Sequence, residues 1–342
     1  MADRKLRISV LDQSPIRRGS NAVEALQESI KLAQLADRLG FTRYWLSEHH
    51  NTRSLAGASP EILIARLAAA TKHIRLGSGG VMLPNHSTLK VAENFRLLEA
   101  LYPGRIDLGI GRAPGGDRLT AHVLNPSNTF EPGDFVQQVN DLEGYLSDSR
   151  EAGTIHEKVM AIPKIDTAPE LWMLTSSGES GLLAARQGWA LSFAHFIYAV
   201  GGPQAIKTYR EKFRPSRFLQ EPAASVGIFV FCADTQEKAD ELQAMMDYRL
   251  LSFEKGRFDE FPSYEEVRDY EYSDMEWQRV MANRGRMIAG TPDQVKQRML
   301  KLADDYDVDE IVAATMAEHV EDRFRSYELL AEIFQLEPRN IS

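Results

Sequence analysis

The chain has 342 residues, 43% hydrophobic and 26% charged, with 40 basic against 49 acidic side chains and a net charge of −9. That balance excludes a disordered or collagen-like chain and argues against a sequence-independent nucleic-acid binder, which needs a basic footprint. The lone Cys232 excludes a disulfide framework and a cysteine zinc site, and the longest apolar runs, such as Val226–Ala233, fall far short of the ~20 residues that cross a bilayer.

The chain opens on MADRKLRISV, without a signal-peptide core, so a soluble cytoplasmic protein is expected, with neither membrane nor nucleic acid as partner. Short apolar runs then alternate with amphipathic stretches. Strands are expected at Arg7–Leu11, Tyr44–Ser47, Ile74–Met82, Ile106–Ile110, Leu171–Thr175, Ala190–Ala194, Ser225–Cys232 and Glu310–Thr315. Most are too apolar for a sheet with one wet face and read as strands buried on both sides, as in parallel sheets. Helix starts are signalled by Asn21 with Glu24, by Ser59-Pro60-Glu61, by Asp234 with Glu237 and by Thr291-Pro292-Asp293-Gln294. Eight strands alternating with helices predict an α/β fold, a (β/α)8 TIM barrel with insertions; a doubly wound open sheet is the competing architecture. One domain spanning residues 1–342 is expected. Asn125–Pro132 reads as a loop, and the acidic, aromatic stretch at about 254–286 as a lid, a subunit contact or a mobile insertion.

Barrel chemistry sits at the C-terminal ends of the strands. Asp12-Gln13-Ser14 follows the first strand and Glu48-His49-His50 the second. His49 is the candidate for acid/base or binding work; hydrogen-bonded mouth residues are the plainer reading. A metal site lacks the HExxH spacing and any cysteine, so none is expected. Gly79 and Gly80 end the third strand, where bare backbone suits either a flat ligand or a bulge. Arg112 follows the fourth, placed to fork onto a phosphate or to pair with a neighbouring acid. The glycines around it fail the GxGxxG dinucleotide pattern, since Pro114 stands at the third position. Thr175-Ser176-Ser177-Gly178-Glu179-Ser180 makes a strand-to-helix turn whose hydroxyls and amides suit an anion, although Ser177 could equally be an ordinary N-cap. His195 ends the sixth strand and reads equally as a mouth residue or a satisfied structural histidine.

In this order, Glu48-His49-His50, LGSGGVMLP at Leu76–Pro84, PGRIDLGIGR at Pro103–Arg112 and TSSGESG at Thr175–Gly181 resemble the luciferase-like flavin monooxygenases, over about Arg7 to Phe334. The resemblance implies a barrel binding reduced FMN as co-substrate at the strand C-termini, with a non-prolyl cis bond between Gly79 and Gly80 against the ring. It implies Arg112, Ser176, Ser177 and Ser180 on the phosphate and His49 as the catalytic residue. It implies oxygen addition to the flavin, giving a C4a-peroxyflavin that oxygenates a small organic substrate. Luciferase itself has alanines where Gly79 and Gly80 stand, a reactive thiol where Gly111 stands and an acid where Ser176 stands, so neither light emission nor an aldehyde substrate is implied. With no nicotinamide fingerprint, reduced FMN is expected from a separate flavin reductase. A deazaflavin-dependent hydride-transfer enzyme and a non-catalytic flavin-binding protein are the other readings. Family members pair through the helices after strands 2 and 3, here about Pro60–Ala70 and Thr88–Leu101. Leu63, Leu67, Phe95 and Leu98 suggest an apolar excess there, and a homodimer is expected.

Overall fold

A computed structural model describes residues 5–257 and 261–340. Its strands are β1 (Arg7–Asp12), β2 (Arg43–Leu46), β3 (Arg75–Met82), β4 (Ile106–Gly111), β5 (Glu170–Thr175), β6 (Ala190–Ala194), β7 (Ala224–Cys232), β8 (Met287–Gly290) and β9 (Glu310–Ala314). All are parallel. Pairing runs β6-β5-β4-β3-β2-β1-β9-β7, and β6 also pairs with β7, so eight strands close a (β/α)8 barrel. The eight strands expected from the sequence are these eight, each within a residue or so at its ends. The ninth, β8, was not anticipated. It has only four residues and pairs with the upper half of β7, Phe229–Cys232, which extends past its pairing with β9. A run that short, opening into the helix signal at Thr291, carries no period of its own.

The caps explain several helix boundaries. Asn21 accepts from the Glu24 amide at 3.1 Å and opens helix Ala22–Leu39. Gln294 accepts from the Thr291 amide at 3.0 Å and opens Pro292–Tyr306. At the third site the expected cap moves by one residue. Thr235, not Asp234, accepts from the Lys238 amide, while Asp234 forms an ion pair with Arg325. The 254–286 insertion contains helices Tyr264–Arg268 and Asp274–Asn283, each opened by a capping box, Ser263 with Glu266 and Ser273 with Glu276. Residues 258–260 of that expected insertion lie outside the described residues.

Alternation along each strand sorts the apolar residues into two layers. Ile8, Val10, Tyr44, Leu46, Leu76, Leu108 and Ile110 face outward and pack beneath the helices. Leu11, Trp45, Trp172, Phe229 and Val312 face the barrel interior. At the N-terminal floor of that interior, Arg43 bonds Asp107 at 2.8 Å and Glu310 at 2.7 Å, all three buried. Above this charged floor Trp45 and Trp172 meet edge to face at 5.1 Å. Several inward positions of β3, β4, β6 and β7 are small: Gly79, Gly111, Ser192, Ala194 and Gly227 all border an open lumen.

Candidate active site

That lumen opens at the C-terminal mouth as a cavity of about 950 Å³. Its volume lies at the upper end of what small-molecule sites use. Leu11, Trp45 and Val312 border it toward the barrel interior, and Arg112, Ser176, Ser177 and Ser180 line one wall. The remaining wall comes from residues 113–135, including helix Arg118–Leu124 and Phe130 and Phe135. None of the lining residues belongs to the 254–286 insertion. That segment rests on the loops after β1 and β9, where Arg18 pairs with Glu266 and the Tyr264 amide donates to Glu318 at 2.8 Å.

The strand-5 turn is rich in hydroxyls and opens a helix. Thr175 Oγ1 donates to the Ser177 carbonyl at 2.6 Å and accepts from the Ser177 amide at 3.0 Å, tightening the turn. Ser177 has extended backbone angles and stands at the N-cap of helix Gly178–Gln187, yet its side chain makes no capping bond. The hydroxyl and the first-turn amides therefore remain open toward the cavity, where the helix end favours negative charge. Arg112 shares this wall, with Nη1 3.2 Å from Glu179 Oε2. Of the two alternatives raised by the sequence for Arg112, the pairing with a neighbouring acid is present, and the guanidinium also borders the hydroxyl-rich turn.

The Gly79–Gly80 peptide is cis. The β3–β4 register shifts between Gly79 and Val81, so the bulge is present as well. A Cβ on Gly79 would lie 2.8 Å from Trp45 Cβ, and one on Gly80 would lie 2.5 Å from Leu174 Cδ1 and 2.8 Å from the Gly109 carbonyl. Packing alone therefore requires glycine at both positions. Gly79 borders the cavity.

Glu48 is a hub that the sequence motif does not reveal. Its buried carboxylate lies 2.8 Å from both His50 Nε2 and His86 Nε2 and accepts from the Met82 amide at 2.9 Å. Burial opposes its charge, but the two imidazoles and the amide outweigh burial and hold its pKa at about 2. Burial likewise opposes protonation of His86, and Glu48 overcomes it, raising the His86 pKa. The His50 amide donates to the Gly115 carbonyl and Asn85 to the Pro114 carbonyl, tying the loop after β4 to the loops after β2 and β3.

His49 differs from its neighbours. Its Nε2 is 3.3 Å from Gln13 Nε2, its amide donates to Gly57, and it is not among the cavity-lining residues. Burial pushes its pKa down to about 4, against the opposing pull of Glu48, so the ring is neutral at neutral pH. His195 is the satisfied structural histidine, bonded to Tyr306 Oη at 2.6 Å and to the Gly285 carbonyl at 2.8 Å. Among the described residues, no group of three histidine, cysteine or acidic side chains is arranged to hold a metal. No described helix is long and apolar enough to cross a membrane. The proposed dimer-forming residues Leu67, Phe95 and Leu98 are buried within the monomer, and Leu63 packs against the same core. The exposed apolar side chains of those helices are Ile62, Leu97 and Leu101 instead.

A closed parallel barrel presenting an anion turn, a guanidinium and a bare glycine pair at one mouth is the architecture of an oxidoreductase family. The luciferase-like monooxygenase model matches residues 6–307, and the chain belongs to that family. It is 36% identical over 333 residues to the luciferase-like monooxygenase of Escherichia coli (strain K12), covering 97% of this chain and 98% of that protein. It is 34% identical over 334 residues to the N-acetyl-S-alkylcysteine monooxygenase of Bacillus subtilis (strain 168), covering 96% and 98%. Among solved structures, apo-MsnO8 superposes with a TM-score of 0.90 at 37% identity, covering 98% of this chain and all of that one.

Proposed function

We propose that the protein is a flavin-dependent monooxygenase that takes reduced FMN from a separate flavin reductase and uses O2 to oxygenate a small organic substrate. The observation carrying this reading is the uncapped Ser177 hydroxyl and open helix amides beside Arg112, on one wall of a cavity bordered by Gly79. A phosphate fits there, because a guanidinium, hydroxyls and backbone donors converge on it. Arg112, Ser176, Ser177 and Ser180 would hold the phosphate, and Gly79-Gly80 would lie against the flavin ring. When bound, the reduced flavin supplies the electrons that activate oxygen. The chain orients ring and substrate and excludes water; the neutral His49 is our candidate to accept or relay a proton near the mouth. The insertion at 254–286 is proposed to cover the side of the mouth above the loops after β1 and β9. The same reading makes the protein a cytoplasmic homodimer, with Ile62, Leu97 and Leu101 supporting the pairing.

The test is titration with oxidised and reduced FMN, followed by assay with ¹⁸O2. N-acetyl-S-alkylcysteines come first in the substrate panel, because the Bacillus relative is a monooxygenase of that class. Tight binding of reduced FMN and one labelled oxygen atom in product are expected. Binding of a deazaflavin in preference to FMN, or flavin binding without turnover of any panel member, overturns the reading.

A further inference from the structure

Resting on the flavin reading, we propose that the substrate carries a carboxylate, bound by Arg118 and His122, on an otherwise apolar body. These two residues lie four apart on helix Arg118–Leu124, and both line the cavity. That spacing puts them on one face, one above the other. Arg112, the remaining lining cation, is assigned to the phosphate in the flavin reading and pairs with Glu179. Among the described residues, neither the Arg118 nor the His122 side chain has a hydrogen bond or ion pair. The nearest acid in sequence, Asp117, is occupied: it accepts from the Thr120 amide at 2.9 Å, from Thr120 Oγ1 at 2.7 Å and from Asn51 Nδ2 at 2.9 Å. Arg118 is also the first residue of its helix, an end that disfavours a cation, so no local interaction accounts for it.

The other polar groups on this wall are already used. Asn128 Nδ2 donates to the Pro84 carbonyl at 3.0 Å, and the Thr129 hydroxyl donates to Asp134 at 2.5 Å. The lining acids are Glu179 and Glu131. Glu179 pairs with Arg112, and Glu131 stands at the positive end of the 15-residue helix Pro132–Leu146. What remains is positive charge on two solvent-exposed side chains that line the cavity beside apolar surface from Phe130, Pro132, Phe135 and Ala121. A guanidinium forks onto a carboxylate, and an imidazole N–H adds a donor on the same face. The class this fits is a small carboxylic acid with an alkyl, aryl or thioether body.

The experiment is titration calorimetry of N-acetyl-S-methylcysteine and 3-phenylpropanoate, each against its methyl ester, on protein loaded with FMN and on protein without it. At least one acid should bind tenfold or more tightly than its ester. Arg118→Gln should shrink that preference to within twofold, and His122→Gln should reduce it by two- to fivefold. FMN affinity should stay within twofold in both variants. Equal affinity of acids and esters, no binding of either acid, or a preference that survives Arg118→Gln overturns the proposal. Loss of FMN affinity in Arg118→Gln also overturns it, by assigning that residue to the cofactor. Failure of the wild type to bind FMN, with acid preference intact, would instead sink the flavin reading and leave the carboxylate site standing.

Discussion

Arg112 Nη1 lies 3.2 Å from Glu179 Oε2, and both side chains border the cavity that holds the strand-5 turn. Any phosphate reaching Ser177 therefore meets a guanidinium and a competing carboxylate together. Both side chains are solvent-accessible, so their pairing contributes little by itself. Arg112→Ala should weaken FMN binding by more than about 1 kcal/mol, the scale of a charged hydrogen bond. Glu179→Gln should tighten it two- to fivefold by removing the competitor. Calorimetry showing equal affinity for both variants would remove this turn from flavin binding.

Gly80 is constrained by backbone, Gly79 by side chains. The added Cβ of Gly80→Ala would meet the Gly109 carbonyl at 2.8 Å, in a strand that cannot retreat without disturbing β4. Leu174 can rotate; the carbonyl cannot. Gly79→Ala would press on Trp45 Cβ and Leu11 Cδ1, at 2.8 and 2.9 Å. Both variants should lose stability by about 1–3 kcal/mol, the usual cost of overpacking, with Gly80→Ala the worse. Urea denaturation of the two variants measures the ranking, and a Gly80→Ala midpoint equal to wild type would contradict this account.

The barrel and its hydroxyl-rich strand-5 turn were legible because their signals are local. A run such as Leu171–Thr175 is apolar on both faces, and a hydroxyl-rich turn announces itself at the following helix. The two capping boxes in the insertion were equally local, Ser263 with Glu266 and Ser273 with Glu276, but aromatic crowding masked them. Glu48 could not be read as a hub, because His86 lies 38 positions away in sequence and only the fold brings it to the carboxylate. The same holds for Arg118 and His122. Nothing in their spacing distinguishes a solvated helix face from a cavity wall.

Glu48 and His86, paired at 2.8 Å, should respond to pH in opposite senses. Glu48 has a depressed pKa of about 2, so its stabilisation is full above the ordinary value of 4.5 and is lost as pH falls through about 2. His86, with a raised pKa, stabilises fully below 6.5 and loses that contribution as pH rises through its folded value. Their joint contribution is therefore greatest between about 4.5 and 6.5. Glu48→Gln should cost about 3 kcal/mol, as expected when a buried charge pair loses one partner, and should abolish that window. Denaturation midpoints across pH 2–8 report both effects.

His49 responds in the same sense as Glu48 and opposite to His86. Its pKa is lowered to about 4, so the folded state binds fewer protons than the unfolded state between that value and 6.5. Stability attributable to His49 is full above 6.5 and falls as pH drops toward 4. If the neutral ring moves a proton in turnover, the acid limb of kcat/KM should lie near pH 4, not near 6.5. His49→Ala should retain FMN binding and lower turnover at least tenfold. Unchanged turnover would confine His49 to its contact with Gln13.

Arg43 joins the barrel floor to the aromatic layer on which the cavity stands. Its guanidinium bonds buried Asp107 and Glu310 and lies 4.6 Å from the Trp172 ring centroid. Asp107 also accepts from Trp45 Nε1 at 2.9 Å, so one carboxylate orients both the cation and an indole that borders the cavity. Arg43→Met would fill much of the space but take from Asp107 and Glu310 their buried cation, leaving Asp107 to Arg75 and Glu310 to Arg7 at 3.4 Å. The expected cost is about 3 kcal/mol, the low end for a buried pair that loses one partner. Arg43→Lys should recover part of it, since an ammonium restores charge but cannot fork to two acids and stack on the ring. Arg43→Met combined with Asp107→Asn and Glu310→Gln should be more stable than Arg43→Met alone, because the incompletely paired buried charge is gone. A triple variant no more stable than the single one would show that ring stacking, and not charge pairing, holds this layer together.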